Sequence, residues 1–384
     1  MQAPFRMPKT SSKPKPKPDR VAIAAVPAEE LAGEFPEIDL PVRPPYPPME
    51  AKPAARLPTG DGWLYEPKWD GFRCLAFRKG DTVALQSKSG QPLDRYFPEM
   101  VEALAALPVK TFALDGEIVI ETGGGLDFDA LLQRIHPAAS RIRKLARETP
   151  ASYHAFDLLV DARGRSLAGW PLRERRVGLE ELFAKIPAGE RVLLSPATPD
   201  RKIAERWMRE LGAAGLDGVI AKLADSPYLT GEREGMVKVK RVRTADCVVG
   251  GFRWAAAGGK NEGQIGSLLL GLYDEAGRLD HVGFSSSFTA GERGELAPIL
   301  LPLREPPGFT GKAPGGPSRW SQGRSTEWEP LRPALVCEVR YDHFSGGRFR
   351  HGTKFLRWRP EKRPDQCTFE QVRPRAVPLS KLGL

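Results

Sequence analysis

From about residue 41 onward, apolar and polar positions alternate in short runs, the period expected of half-buried strands. Such runs cover residues 63–66, 73–78 and 82–87, separated by turn pairs at Asp70-Gly71 and Gly80-Asp81. Residues 97–107 break the alternation: Phe97, Met100, Val101, Leu104 and Leu107 recur at helical spacing. Residues 112–114 and 118–120 then predict two strands on either side of a turn at Asp115-Gly116-Glu117, and residues 152–160 predict a further strand. Amphipathic helices are predicted at 172–186 and 200–214, and strands at 218–223 and 236–241. Strands and helices alternate irregularly, which predicts a mixed α+β domain and not a doubly wound parallel sheet.

After Arg243 the pattern changes. Residues 245 to about 375 lack long helical periodicity, and strands are predicted at 248–254, 267–273, 279–285, 335–341 and 355–359. Turns fall at Gly258-Gly259 and Glu275-Ala276-Gly277, and a Gly/Pro/Ser/Arg loop at 306–324. Five or so strands in a basic module predict an all-β Greek-key barrel of the OB type; a small β-sandwich is the plainer alternative. Residues 1–40 hold the run Lys13-Pro14-Lys15-Pro16-Lys17-Pro18, which suits neither helix nor central strand and predicts an extended basic tail. The expected organisation is therefore a tail at 1–40, an α+β domain at 41–243, a barrel at 244–375 and a short tail at 376–384.

Composition narrows the partners. The 384 residues are 41% hydrophobic, enough for a sizeable core, and carry a net charge of +10. That excess favours a polyanion, nucleic acid before an anionic membrane surface. The basic, proline-rich N-terminus lacks the apolar core of a signal peptide, and no stretch approaches a membrane span. A soluble cytoplasmic monomer is expected. Cys74, Cys247, Cys337 and Cys367 are far apart, so neither a zinc knuckle nor a redox pair is predicted, and free thiols in a reducing compartment are expected. The five histidines lack metalloprotease spacing, which leaves carboxylates as metal ligands and Mg²⁺ or Mn²⁺ as the metal.

The candidate chemistry begins at Glu66-Pro67-Lys68-Trp69-Asp70-Gly71-Phe72-Arg73. An amine held at a bend among other cations has its pKa lowered and becomes a nucleophile. Alone this is a weak motif. Five elements follow it in order: Asp115-Gly116-Glu117, Phe156-Asp157, Asp217-Gly218-Val219-Ile220-Ala221-Lys222, Lys238-Val239-Lys240 and Arg357-Trp358-Arg359-Pro360-Glu361-Lys362. Lys238 and Lys240, two apart on a strand, share a face and suit a phosphate. Glu117 and Asp217 beside glycines suit a divalent ion. Phe156 offers a flat face to a purine. Each Asp-Gly also has the plain reading of a turn, and alternating lysines that of a solvated strand face.

The ordered set resembles the covalent nucleotidyltransferases, the superfamily of DNA ligases, RNA ligases and capping enzymes, and within it the small bacterial ATP-dependent DNA ligases of the accessory repair type. The resemblance covers roughly residues 45–375. It implies a nucleotidyltransferase (adenylation) domain followed by an OB-fold barrel, with ATP and Mg²⁺ or Mn²⁺ as cofactors. By position, Lys68 is implied as the nucleophile that forms lysyl-AMP, with Glu66 and Arg73 at the nucleotide. Glu117 is implied at the ribose or a metal ion, Phe156 on adenine and Asp217 at the metal. Lys222, Lys238 and Lys240 are implied at the α-phosphate, and Arg359 and Lys362 at the departing pyrophosphate. Lys88 stands where the family usually has an arginine for the nick 5′-phosphate, which removes a bidentate grip. Asp217 stands for a usual glutamate, one methylene shorter. The barrel is expected to swing about a hinge near residues 242–246.

The implied substrate is nicked double-stranded DNA, gripped through phosphates by basic segments such as 141–147, 173–176 and 319–324. A repair-protein partner is compatible with the absence of a visible DNA-encircling domain. An RNA ligase or GTP-using capping enzyme shares Lys-x-Asp-Gly and is the first alternative. A non-catalytic OB-type nucleic-acid-binding protein is the second, opposed by the intact lysine set. An NAD⁺-dependent ligase is disfavoured, since no four-cysteine zinc module is visible.

Overall fold

The computed structural model describes residues 33–122, 125–187, 191–210, 216–255, 263–315, 327–350 and 352–373. The expected tail before residue 33, the turn at Gly258-Gly259, the basic segment 319–324 and the C-terminal tail lie outside the described residues.

The first module opens with β1 (Lys52–Ala54), β2 (Trp63–Lys68), β3 (Phe72–Lys79), β4 (Thr82–Ser87), α1 (Pro98–Ala106) and β5 (Thr111–Val119). A short ribbon of β6 (Glu121–Thr122) and β7 (Gly125–Leu126) leads into α2 (Phe128–Leu132) and α3 (Ala139–Glu148). Then come β8 (Ser152–Val160), α4 (Leu172–Phe183), β9 (Val192–Leu194), α5 (Arg201–Glu210), β10 (Gly218–Leu223) and β11 (Met236–Lys240). Two sheets result, one ordered β4-β3-β5-β8-β9 and the other β1-β11-β10-β2.

Both faces of the larger sheet are buried, which explains its apolar runs. On β3, Phe72, Cys74 and Ala76 pack with Phe97, Met100 and Leu104 of the helical side, while Leu75 and Phe77 face Met236 and Tyr228. Each such aromatic or aliphatic side chain contributes roughly 1.5–3 kcal/mol by leaving water. Ile38, Leu40 and Val42 are buried in the second of these clusters, so part of the expected tail is core.

Asp115-Gly116-Glu117 is not a turn. It lies in the middle of β5, paired on both sides, Gly116 opposite Cys74 and Ala155. Its glycine answers a packing need: a Cβ there would run into the Tyr153 ring and lie 2.7 Å from the His154 carbonyl oxygen. Alternation then sends Asp115 and Glu117 to the same face as Arg73. Gly218 begins β10 with φ +154°, and a Cβ there would collide with the Val239 carbonyl.

Only Arg241 and Val242 separate β11 from β12 (Arg243–Trp254). The second module continues with β13 (Ile265–Tyr273), β14 (Leu279–Ser285), α6 (Ala290–Leu300), β15 (Glu329–Pro330), β16 (Val336–Tyr341), β17 (Phe344–Ser345), β18 (Arg348–Phe349) and β19 (Lys354–Trp358). The strand order β14-β13-β12-β16-β19 ends on edges that meet at one bridge, Ser285 to Thr353, with Phe355 donating its N–H to Ser285 Oγ at 3.0 Å. This is a partly open barrel of the OB kind rather than a continuous ladder. It is not all-β: α6 buries Leu296 and Leu300 against the barrel core. Its start was written in the chain, since Thr289 and Glu292 form a capping box.

Candidate active site

Lys68 is the last residue of β2, opposite Gly218 of β10. That register places its amine beside Asp217, with Nζ 2.8 Å from Oδ2. Lys240, at the end of the neighbouring β11, reaches the same oxygen at 3.3 Å. The backbone repeats the link: Asp217 donates its N–H to the Lys68 carbonyl at 3.1 Å.

The facing sheet supplies Arg73, Glu117 and Phe156. Arg73 is held by Asp115, Nε to Oδ1 at 2.6 Å, and Tyr228 donates its hydroxyl to the other Asp115 oxygen at 2.6 Å. The Arg73 guanidinium lies 4.8 Å and Lys222 Nζ 4.5 Å from the Phe156 ring centre. Lys222 pairs with Glu66 at 2.8 Å. Glu66 is 2% exposed, and its other oxygen, Oε1, has no hydrogen-bond partner. A buried acceptor without a donor is costly, and this one can take an N–H from a ligand. Asp157, next to Phe156, turns away to a buried pair with Arg175 at 2.8 Å.

Lys238 has no carboxylate partner among the described residues. Burial, then Lys88, Lys68, Lys240 and Arg233, all push its pKa down. A cation without a counter-ion, set among other cations, suits a phosphate. Lys88 stands at the rim, 3.2 Å from Glu50, which also holds Arg233 at 3.0 Å.

The expectation of a depressed Lys68 pKa is overturned. Burial works to lower it, but Asp217, followed by Asp70 and Glu117, outweighs burial and leaves the pKa above the ordinary lysine value. The amine whose pKa falls is Lys238. Conversely, Asp217 is held far below the usual carboxylate range: burial opposes ionisation, and Lys68, His343 and Lys240 overcome it. Glu117 behaves oppositely. Burial lifts it to about 7, against the pull of Arg73 and Lys68.

Two carboxylates were expected at a metal ion. Among the described residues no three His, Cys, Asp or Glu side chains gather as a metal cage. Mg²⁺ does not require one, since it binds through one or two carboxylates together with substrate phosphates. Glu117 fits that role, because no hydrogen bond or ion pair engages its carboxylate among the described residues. Asp217 fits only if Lys68, Lys240 or His343 releases it.

Arg359 and Lys362 are not brought to this cleft. Both point to Asp246 of their own module, each at 2.7 Å. What the second module presents instead is His343, 3.1 Å from Asp217, and Arg350, 3.9 Å from Asp70. Arg350 lies in the run Arg348-Phe349-Arg350-His351, part of the family resemblance, but neither residue was expected at this site, because their position depends on how the modules dock. Of the basic segments, Arg175 and Arg176 are internally paired with Asp157 and Glu180, whereas Arg141, Arg143, Lys144 and Arg147 on α3 are exposed.

Comparison with known proteins follows the same division. Residues 48–240 match the family of the ATP dependent DNA ligase domain, and residues 261–362 match the ATP dependent DNA ligase C terminal region. The chain is 48% identical over 345 residues to DNA ligase C1 of Mycolicibacterium smegmatis, covering 87% of this chain and 96% of that one. It is 45% identical over 360 residues to DNA ligase C of Mycobacterium tuberculosis, covering 90% and 99%. Among solved structures, the ligase domain of M. tuberculosis LigD is similar at 29% identity, TM-score 0.41, covering 84% of this chain and 98% of that one.

Proposed function

The chain belongs to the ATP-dependent DNA ligases, and from that premise we propose how its own residues divide the work. The enzyme uses ATP and a divalent metal, and its substrate is nicked DNA. We assign the nucleophile to Lys68, acting in DNA repair in the cytoplasm. The observation that carries the assignment is the Lys68 amine, 20% exposed, at a strand end in the cleft where Phe156, Lys222, Lys238 and Glu117 converge.

Adenine stacks on Phe156, a ring already polarised by Arg73 and Lys222. Its amino group supplies the donor that Glu66 Oε1 lacks, whereas guanine would present an acceptor there. This favours ATP over GTP and argues against a capping enzyme. The phosphates settle on Lys238, Lys240 and Lys222, with Lys88 left at the rim for the 5′-phosphate of the nick.

Lys68 must first lose a proton. Asp217, so strongly ionised, is a poor base and acts to hold the ammonium. Lys240 shares the same oxygen, so a shift of Asp217 toward Lys240 frees the Lys68 amine to deprotonate to solvent. The neutral amine then attacks the α-phosphorus in line, and pyrophosphate leaves. Glu117 would hold the divalent cation, which would supply charge neutralisation for the departing pyrophosphate. The adenylate passes to the nick 5′-phosphate, and the 3′-hydroxyl displaces AMP. Arg359 and Lys362 take part in pyrophosphate release only after leaving Asp246, which requires the second module to turn about Arg241 and Val242.

Incubation with α-labelled ATP and Mg²⁺, followed by a denaturing gel, tests the assignment. Wild type acquires label and seals nicked DNA, and Lys68→Ala does neither. Label retained by Lys68→Ala refutes it.

A further inference from the structure

The hairpin of β17 and β18 belongs to the second module, yet the side chains at its base end in the cleft of the first. His343 is buried there, its Nε2 3.1 Å from Asp217 Oδ1 and its Nδ1 3.4 Å from Asp70 Oδ2. Arg350, just beyond the hairpin, lies 3.9 Å from that Asp70 oxygen, with its guanidinium 3.8 Å over the Phe128 ring. Its buried Nε has no partner. Lys240 extends the same seam to Asp342 at 3.5 Å. Asp217 is thus divided, Oδ2 to Lys68 and Lys240, Oδ1 to His343.

This seam changes charge when Lys68 reacts. Nζ bonds to the α-phosphorus as the bond from that phosphorus to the pyrophosphate oxygen breaks. The ammonium gives up two protons, one leaving on pyrophosphate and one to solvent, and a single N–H remains. One positive charge is lost at Nζ and one negative charge arrives on the phosphoryl group. Asp217 then loses its nearest cation and keeps Lys240 and the His343 ring, while Asp70 faces His343 and Arg350 without the charge of Lys68 behind it. Before reaction the Arg350 cation approaches a cleft already crowded with Lys68, Lys222, Lys238 and Lys240. The reacted site therefore attracts the hairpin more strongly than the unreacted one.

We propose that His343 is a positioning residue for the steps after adenylylation: through Asp217 and Asp70 it seats the second module over a Lys68 that has already reacted. The inference rests on Lys68 as the nucleophile. His343 itself touches neither nucleotide nor nick phosphate in this role.

The test separates the steps in the full chain. Adenylylation is followed with α-labelled ATP and Mg²⁺; sealing is followed in a single turnover by mixing isolated adenylylated enzyme with nicked DNA. His343→Ala is expected to adenylylate within about threefold of wild type and to seal at least tenfold more slowly, with His343→Gln, which keeps a donor, recovering most of the loss. Arg350→Gln, the independent variant, shows the same split. Small-angle scattering gives a readout that a merely structural role would not move: adenylylation makes wild type more compact and leaves His343→Ala unchanged. Unimpaired sealing by His343→Ala overturns the proposal, as does a loss of adenylylation equal to the loss of sealing. Failure of wild type to acquire adenylate refutes instead the underlying assignment of Lys68.

Discussion

Replacing Glu117 by glutamine removes a half-buried carboxyl whose pKa rises from 4.5 to about 7, chiefly through burial. The sign of the linkage follows from that direction. Between these two values the folded chain binds a proton that the unfolded chain has released. Its stabilisation is complete below pH 4.5 and is lost as pH rises through about 7. From 4.5 to 7 is about 2.5 units, worth at most roughly 3 kcal/mol at about 1.4 kcal/mol per unit. Solvent screening through its partial exposure reduces this to about 1–2 kcal/mol. Glu117→Gln, which does not titrate, is therefore expected to gain about 1–2 kcal/mol over wild type at pH 8 relative to pH 5. Urea unfolding at the two pH values measures it. Activity moves the other way: a proposed metal ligand must be ionised, so the ratio of wild-type to Glu117→Gln adenylylation rises roughly tenfold from pH 6 to pH 8, as a group titrating near 7 requires, while the Lys68 deprotonation common to both raises each rate alike. An equal stability difference at pH 5 and pH 8, or a variant that keeps the wild-type pH rise, refutes the reasoning.

Other outcomes follow from single contacts. Glu66→Ala removes the orphaned acceptor and is expected to narrow the preference for ATP over GTP in adduct formation by about 10- to 100-fold, since one buried hydrogen bond is worth about 1–3 kcal/mol. Gly116→Ala forces a methyl group against Tyr153 and is expected to destabilise the first module by about 1–3 kcal/mol in denaturant titration. Thr289→Ala breaks the capping box of α6 and costs about 1 kcal/mol in the same measurement. Binding of nicked DNA, measured by anisotropy, is expected to weaken steeply between low and moderate salt, and a flat response contradicts a phosphate-led grip.

The local order of this chain was largely legible. Alternation placed β4 at Thr82–Ser87 without error, and the helical period of Phe97, Met100 and Leu104 placed α1. Lys68, Phe156, Lys222, Lys238 and Lys240 do converge on one cleft. Where local reading failed, tertiary packing was the reason. Asp-Gly is a turn signal in isolation, but in β5 the glycine exists because Tyr153 crosses it, so the predicted turn is a continuous strand. The helix α6 was missed because its long run is not strongly amphipathic, although Thr289-Ala290-Gly291-Glu292 announced its start.

Order and spacing along the chain picked out residues that meet in one cleft, since strand period sets which side chains share a face. Charge state and accessibility were decided by the tertiary structure. Residues far apart in sequence set them: Asp217 raises the Lys68 pKa that neighbouring lysines were expected to lower, and burial holds Glu117 near neutrality. The docking of the two modules is likewise invisible to local pattern. It joins His343 to Asp217 and leaves Arg359 and Lys362 with Asp246, because electrostatic energy depends on distance in space and not on distance along the chain.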